Sequence, residues 1–101
     1  MIIYSVTVSV EREISEEWLS WMKSVHIPDV MATGYFKTHS IQRVLDPIVD
    51  VNMVTHNIQY RCESVLDLDQ YQKEAAPALQ KDHTERYKDK FVAFRTILKL
   101  V

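Results

Sequence analysis

Cysteine and glycine each occur once in these 101 residues. A single cysteine, Cys62, excludes an intramolecular disulfide framework and a cysteine-rich metal site. A single glycine, Gly34, cannot build a phosphate-cradling loop, and no G-x-S-x-G is present. No stretch approaches the ~18 consecutive apolar residues of a membrane span. The opening Met1-Ile2-Ile3-Tyr4-Ser5-Val6 has no basic region of the kind that starts a secretory signal, so a cytoplasmic protein without a membrane partner is expected. Charge is nearly balanced, with 12 basic against 14 acidic residues and a formal net of -2, which gives no electrostatic ground for nucleic acid or anionic lipid. The four histidines, His26, His39, His56 and His83, form no His-x-His or H-E-x-x-H pair, so neither a metal nor another cofactor is expected. Glu16-Glu17 and Asp67, Asp69 fall at expected helix starts, where the helix dipole accounts for them without paired-carboxylate chemistry.

What remains is 47% hydrophobic and 26% charged, the composition of an ordinary globular domain, and residues 1–101 are read as one such domain. A chain of this length buries roughly two-thirds of the surface its unfolded form exposes, so a core can hold it without metal or disulfide. From Ile2 to Val10 the residues Ile2, Tyr4, Val6, Val8 and Val10 share one parity, which predicts a half-buried strand. Ser15 is the expected cap of a helix, with Glu16 and Glu17 in its first turn and Ile14 stapled onto Leu19. Its buried stripe is predicted as Trp18, Trp21, Met22 and Val25. Pro28 should kink the helix or start a fresh turn, and Gly34 should end it near Thr33.

Tyr35–Leu45 and Val51–Cys62 read as a hairpin around Asp46-Pro47-Ile48-Val49-Asp50. In the second arm Val54, His56, Ile58, Tyr60 and Cys62 share a face, with Cys62 a core filler. Ser64 and Asp67 have capping-box spacing, and a stripe through Leu68, Tyr71, Ala75, Leu79, His83 and Tyr87 continues to about Lys88, bent or split at Pro77. Phe91–Val101 is a last strand, with Val92, Phe94, Leu98 and Leu100 on one parity. The order βαββαβ predicts an α+β, ferredoxin-like fold: a four-stranded antiparallel sheet with two helices on one face.

Trp18-Leu19-Ser20-Trp21-Met22, His26-Ile27-Pro28-Asp29-Val30, Gly34-Tyr35-Phe36, Ala75-Ala76-Pro77-Ala78-Leu79 with His83, and Phe91-Val92-Ala93-Phe94-Arg95-Thr96 add a resemblance. Together they resemble a domain-of-unknown-function family of small bacterial proteins, similar to the dimeric α/β-barrel superfamily, over essentially the whole chain. The resemblance implies two ferredoxin-like subunits packed sheet against sheet. Relatives of that kind include cofactor-independent monooxygenases, isomerases and haem-degrading proteins, so the resemblance assigns no catalytic residue here.

Chemistry-bearing side chains gather at two places. Tyr4, Trp21, His26, His56, Tyr60 and His83 all fall on stripes facing the gap between helices and sheet. An imidazole there titrates near neutrality and can serve as a general base, so His26 and His83 are the catalytic candidates, the other four being ligand-binding ones. The plainer role for each is a satisfied boundary residue, His26 capping carbonyls freed by Pro28 and His83 pairing with Asp82, Glu85 or Arg86. On the opposite sheet face Ser5, Thr7, Ser9, Thr55, Asn57, Gln59, Arg61 and Arg95 are expected, with Ile3 and Ile97 among them. Guanidinium groups there could bind an anion, and the apolar pair suits a homodimer. RNA binding through this face needs stacking aromatics, and Thr55, Asn57 and Gln59 are not such residues. The function expected is therefore a dimeric interaction or small-molecule-binding module, the alternative being a cofactor-independent, monooxygenase- or isomerase-like enzyme using the His/Tyr cleft.

Overall fold

Strand β1 (Ile2–Glu11) carries the sheet in a computed structural model that describes residues 1–101. It pairs antiparallel with β3 (Met53–Cys62) on one side and with β4 (Phe91–Lys99) on the other, and β2 (Thr38–Arg43) flanks β3, giving the order β2-β3-β1-β4. Even positions of β1 and β3 point to the helices, so Ile2, Tyr4, Val8, Val10, Val54, His56, Ile58, Tyr60 and Cys62 are all buried there. Helices cover that face alone, which makes this the ferredoxin-like α+β fold.

The first helical segment departs from expectation at its start and its middle. Ser15 does not cap it, because a 3₁₀ turn, Arg12–Ile14, already leads into α1 (Ser15–Trp21), and the Ser15 hydroxyl donates to the Arg12 carbonyl at 2.9 Å. Met22–His26 then form a wide π-turn before α2 (Ile27–Ala32). Pro28 has no N–H to return to Ser24, so the ladder widens ahead of it and the Ile27 N–H bonds the carbonyl of Met22, five residues back. The extra residue rotates everything beyond it. Thus the buried stripe runs Trp18, Met22, Ile27, Val30, while Val25, expected inside, is 40% exposed. Gly34, at φ +83°, ends the segment, its N–H bonded to Met31, as its left-handed conformation requires.

The second segment is split as Pro77 demands. α3 (Val65–Glu74) is capped by Ser64, whose hydroxyl accepts from the Asp67 N–H at 3.3 Å, and α4 (Ala76–Arg86) restarts after Ala75 with the proline in its first turn. It ends at Arg86 rather than Lys88. No helix is long and apolar enough to cross a membrane.

Two differences concern the sheet. β2 is shorter than the predicted Tyr35–Leu45, so the connection to β3 runs from 44 to 52 and leaves Leu45, Ile48, Val49 and Val51 exposed. The register of β4 places Phe91, Ala93, Arg95 and Ile97 opposite Val10, Val8, Val6 and Tyr4, hence on the helix side. Arg95 and Ile97 were expected on the open face, which instead receives Val92, Phe94 and Leu98. β4 is apolar on both parities, so alternation could not choose between its faces. On the open face Asn57 donates to the Ser5 hydroxyl at 2.8 Å and the Thr7 hydroxyl at 3.1 Å and accepts from Gln42 at 2.8 Å, while Ser9 and Thr55 share a 2.6 Å hydrogen bond.

Candidate functional site

His83 lies at the middle of the helix–sheet interface because α4 restarts at Pro77 and turns its apolar stripe onto β4. It is only 8% exposed, with the Phe91 ring edge-on at 4.5 Å. Its Nε2 accepts a hydrogen bond from the Trp18 indole N–H at 2.9 Å. An indole nitrogen can only donate, so the ring proton of His83 resides on Nδ1, and His83 faces its surroundings as a donor. The π-turn brings His26 alongside, ring centroid 5.7 Å from that of His83. Trp21 roofs both imidazoles, at 5.4 Å from His26 and 5.9 Å from His83. Above Trp21 sits the Arg86 guanidinium, 5.3 Å from the ring and held by Glu17 at 2.6 Å.

His26, His83 and Phe91 border a cavity of about 50 Å³. Tyr4, Tyr60 and Tyr71 line it among apolar side chains, His26 and His83 stand in its wall, and Gln80, Thr84 and Arg95 are its remaining polar side chains. Four of the six cleft candidates, Tyr4, His26, Tyr60 and His83, therefore share one space. Trp21 packs on the two imidazoles without lining the cavity. His56 is held apart, its ring 5.3 Å from Trp18 and its buried Nδ1 without a hydrogen-bond partner. Arg61 stands on the open sheet face, opposite Thr38 and Ile3. Arg95 was anticipated as an anion-binding group on the wrong face. Tyr71, which the sequence places only on the buried stripe, joins the lining, as do Gln80 and Thr84, and the position of these two one turn apart on α4 beside His83 is the signal that finds them.

Burial sets the electrostatics. The His83 imidazole is pushed down to about 4, chiefly by desolvation and then by the positive charges of His26 and Arg95. Desolvation also lowers His26, more than Asp29 and Asp82 raise it, and lowers His56, helped by Arg43 and Lys23. Burial raises the Tyr60 and Tyr71 phenols, so both stay protonated. At neutral pH the cavity thus offers uncharged imidazoles, neutral phenols and one guanidinium, and no carboxylate lines it. At about 10–15 Å³ for each water-sized group, it admits a head of about four heavy atoms. No three His, Cys, Asp or Glu side chains are gathered as metal ligands.

A family described as a domain of unknown function, DUF4286, matches residues 1–101. No curated protein matches the chain. Among solved structures, a dimeric ferredoxin-like protein from an uncultured marine organism is similar at 13% identity and TM-score 0.70, over 100% of this chain and 95% of that one. An ethyl tert-butyl ether (ethd) family protein from Bacillus halodurans gives 13% identity and TM-score 0.68, covering 100% of both chains. An antibiotic biosynthesis monooxygenase-like protein from Deinococcus radiodurans gives 10% identity and TM-score 0.68, over 100% of this chain and 93% of that one. At such identities the likeness is one of fold.

Proposed function

The chain belongs to the DUF4286 family, and from that premise we propose that it is a bacterial, cytoplasmic, single-domain homodimer that binds a small organic molecule between helices and sheet. One observation carries the ligand reading: His83 is fixed as a hydrogen-bond donor by Trp18, in the wall of a cavity that also holds His26 and Arg95. Two imidazoles and a guanidinium thus converge on one concavity, with the free N–H of His83 left to meet a ligand. The cytoplasmic assignment is supported by Cys62, a buried thiol with no partner to oxidise onto.

The homodimer reading rests on the open sheet face. Val92 and Phe94 are 62% and 63% exposed there, and a concavity of about 590 Å³ opens between them and Pro47 and Val49 of the 44–52 segment. A contiguous apolar surface of this kind suits a self-complementary partner. Arg61, Thr55, Asn57 and Gln59 would rim that contact, with a standard-sized interface of at least ~1,200 Å² in total.

A second reading, a cofactor-independent isomerase- or monooxygenase-like enzyme, is favoured by one detail. His26, unlike His83, carries no lock on either nitrogen, so it can take a proton from a substrate whose oxygen His83 holds. A thermal-shift screen of small polar and aromatic compounds, run beside sedimentation, tests both parts of the main reading. Stabilisation lost in the His83→Gln variant, and a dimer of twice 11.9 kDa at micromolar concentration, are the expected results. A screen in which nothing stabilises the protein, or stabilisers that His83→Gln leaves untouched, would defeat the ligand reading, and a monomer at high loading would defeat the dimer.

A further inference from the structure

We propose that the cavity takes the carboxylate head of a small monocarboxylate, bound between Arg95 and the Nδ1–H of His83, and that binding draws a proton from solvent onto His26. The proposal rests on the cavity's being a ligand site and adds its ligand class and a proton linkage. Three features of the walls carry it.

First, charge is unbalanced in one direction. The lining contains one permanent cation, Arg95, and no Asp or Glu. Arg95 makes no ion pair, and no carboxylate in the lining is there to take it. A guanidinium matches a carboxylate by its fork of N–H groups, and the Nδ1–H of His83 adds a second donor from the cavity wall.

Second, the two imidazoles have different freedoms. Protonating His83 would set its Nε2–H against the Trp18 indole N–H at 2.9 Å, donor against donor. His83 therefore remains a neutral donor whatever the ligand. His26 has no such constraint. The charged groups facing it are Asp29 from α2, Asp82 from α4 and Arg95 from β4, with His83 beside it. In the unliganded site the positive Arg95 and the loss of water disfavour a charged His26. A carboxylate placed against Arg95 cancels that repulsion and supplies an adjacent negative charge, so the imidazolium becomes the favoured form. The bookkeeping closes with no covalent step: one carboxylate enters, and one proton leaves the buffer.

Third, the size fits. A carboxylate with its α-carbon is four heavy atoms, the capacity of a cavity of about 50 Å³. A tail of any length must lie outside, over Arg95 at the exposed edge of the sheet.

Titration calorimetry with sodium acetate and sodium benzoate as probes, and benzyl alcohol and benzylammonium as controls, tests this at pH 6.0 and 7.5 in buffers of differing ionisation enthalpy. Benzoate should bind at least about tenfold more tightly than benzyl alcohol, the worth of one charge-assisted pair. Benzylammonium should not bind. Affinity for both carboxylates should rise several-fold from pH 7.5 to 6.0, with net proton uptake read from the buffer dependence. Arg95 is exposed, so Arg95→Gln keeps the fold, which an unchanged melting temperature checks, and should lose the preference for benzoate over benzyl alcohol. His26→Gln should retain part of the affinity and lose the proton uptake. Equal binding of benzoate and benzyl alcohol, or carboxylate binding without proton uptake, would overturn the proposal while the ligand-site reading stood. Failure of every compound, in the wider thermal screen as well, would remove the ligand site itself.

Discussion

Folding stability should fall as pH drops from 7 towards 5, with His83 the largest single cause. An exposed histidine in the unfolded chain titrates near 6.5, whereas the buried His83 is pushed down to about 4. Below 6.5 the unfolded chain binds the proton more readily than the folded one, so stability must rise with pH between about 4 and 6.5 and level off above. At 1.36 kcal/mol per pH unit the full gap is worth about 3 kcal/mol. Between pH 7 and pH 5 the linkage amounts to about 2 kcal/mol, or about 1 kcal/mol after allowing for solvent reaching the cavity. Either figure is a visible part of the ~5–15 kcal/mol that holds a small domain folded. His26 and His56, also lowered by burial, tilt the slope in the same sense, so the wild-type profile alone cannot isolate His83. The variant His83→Gln can: its amide oxygen can still accept from Trp18, and it does not titrate. Urea unfolding from pH 7.5 to 4.5 should give a wild-type stability loss exceeding that of His83→Gln by about 1–2 kcal/mol, with the same denaturant slope in both. Identical pH profiles for the two proteins would refute the placement of His83 as a buried, neutral acceptor of the indole hydrogen bond.

Three further outcomes follow from the fold. Gly34→Ala should cost about 1 kcal/mol in denaturant unfolding, because an added Cβ meets no atom within 4 Å and the penalty is solely that of holding φ at +83°. Ser64→Ala should cost about 1 kcal/mol by leaving the Asp67 N–H uncapped at the start of α3, whereas Ser15→Ala, which removes no cap, should cost less than half of that in the same assay. Cys62, fully buried and with its thiol pushed up by desolvation, should stay unmodified by a disulfide reagent at neutral pH in the folded protein and react once urea unfolds it; rapid reaction in native buffer would contradict its position.

Where each local signal had one reading, sequence and structure agree. The alternation of β1 is strict, Ser64 and Asp67 have a single capping arrangement, and only Gly34 could end the first helical segment in a left-handed residue. The failures share a cause, which is that a neighbouring element decided between two locally equivalent choices. β4 has apolar residues on both parities, and only its register against β1 sends Arg95 to the helix side. Ser15 has the chemistry of a cap, but the 3₁₀ turn before it had already opened the helix. Pro28 announced a disturbance without saying that it would be absorbed upstream as a π-turn, and that turn both expels Val25 and brings His26 beside His83. The cavity was legible as a set of His and Tyr on converging stripes. Its one cation was not, because β4 is apolar on both parities and only its pairing with β1 decides which face turns inward.

The polar network across the open sheet face bears on how that face can be covered. Asn57, Ser5, Thr7, Gln42, Ser9 and Thr55 use their side-chain donors and acceptors on one another across three strands. Hydroxyls and amides normally resist dehydration because the water they lose must be replaced atom for atom by the incoming surface. Here much of that replacement is internal, so a covering surface need not match the pattern of groups beneath it. Such a face would tolerate sliding and sequence drift in a surface laid on it, and shape would then fix the orientation, through the Phe94 ring and the 44–52 segment that walls the concavity beside it. With no surface over it, the same groups stay paired with one another, so the sheet stands satisfied in water without a cover.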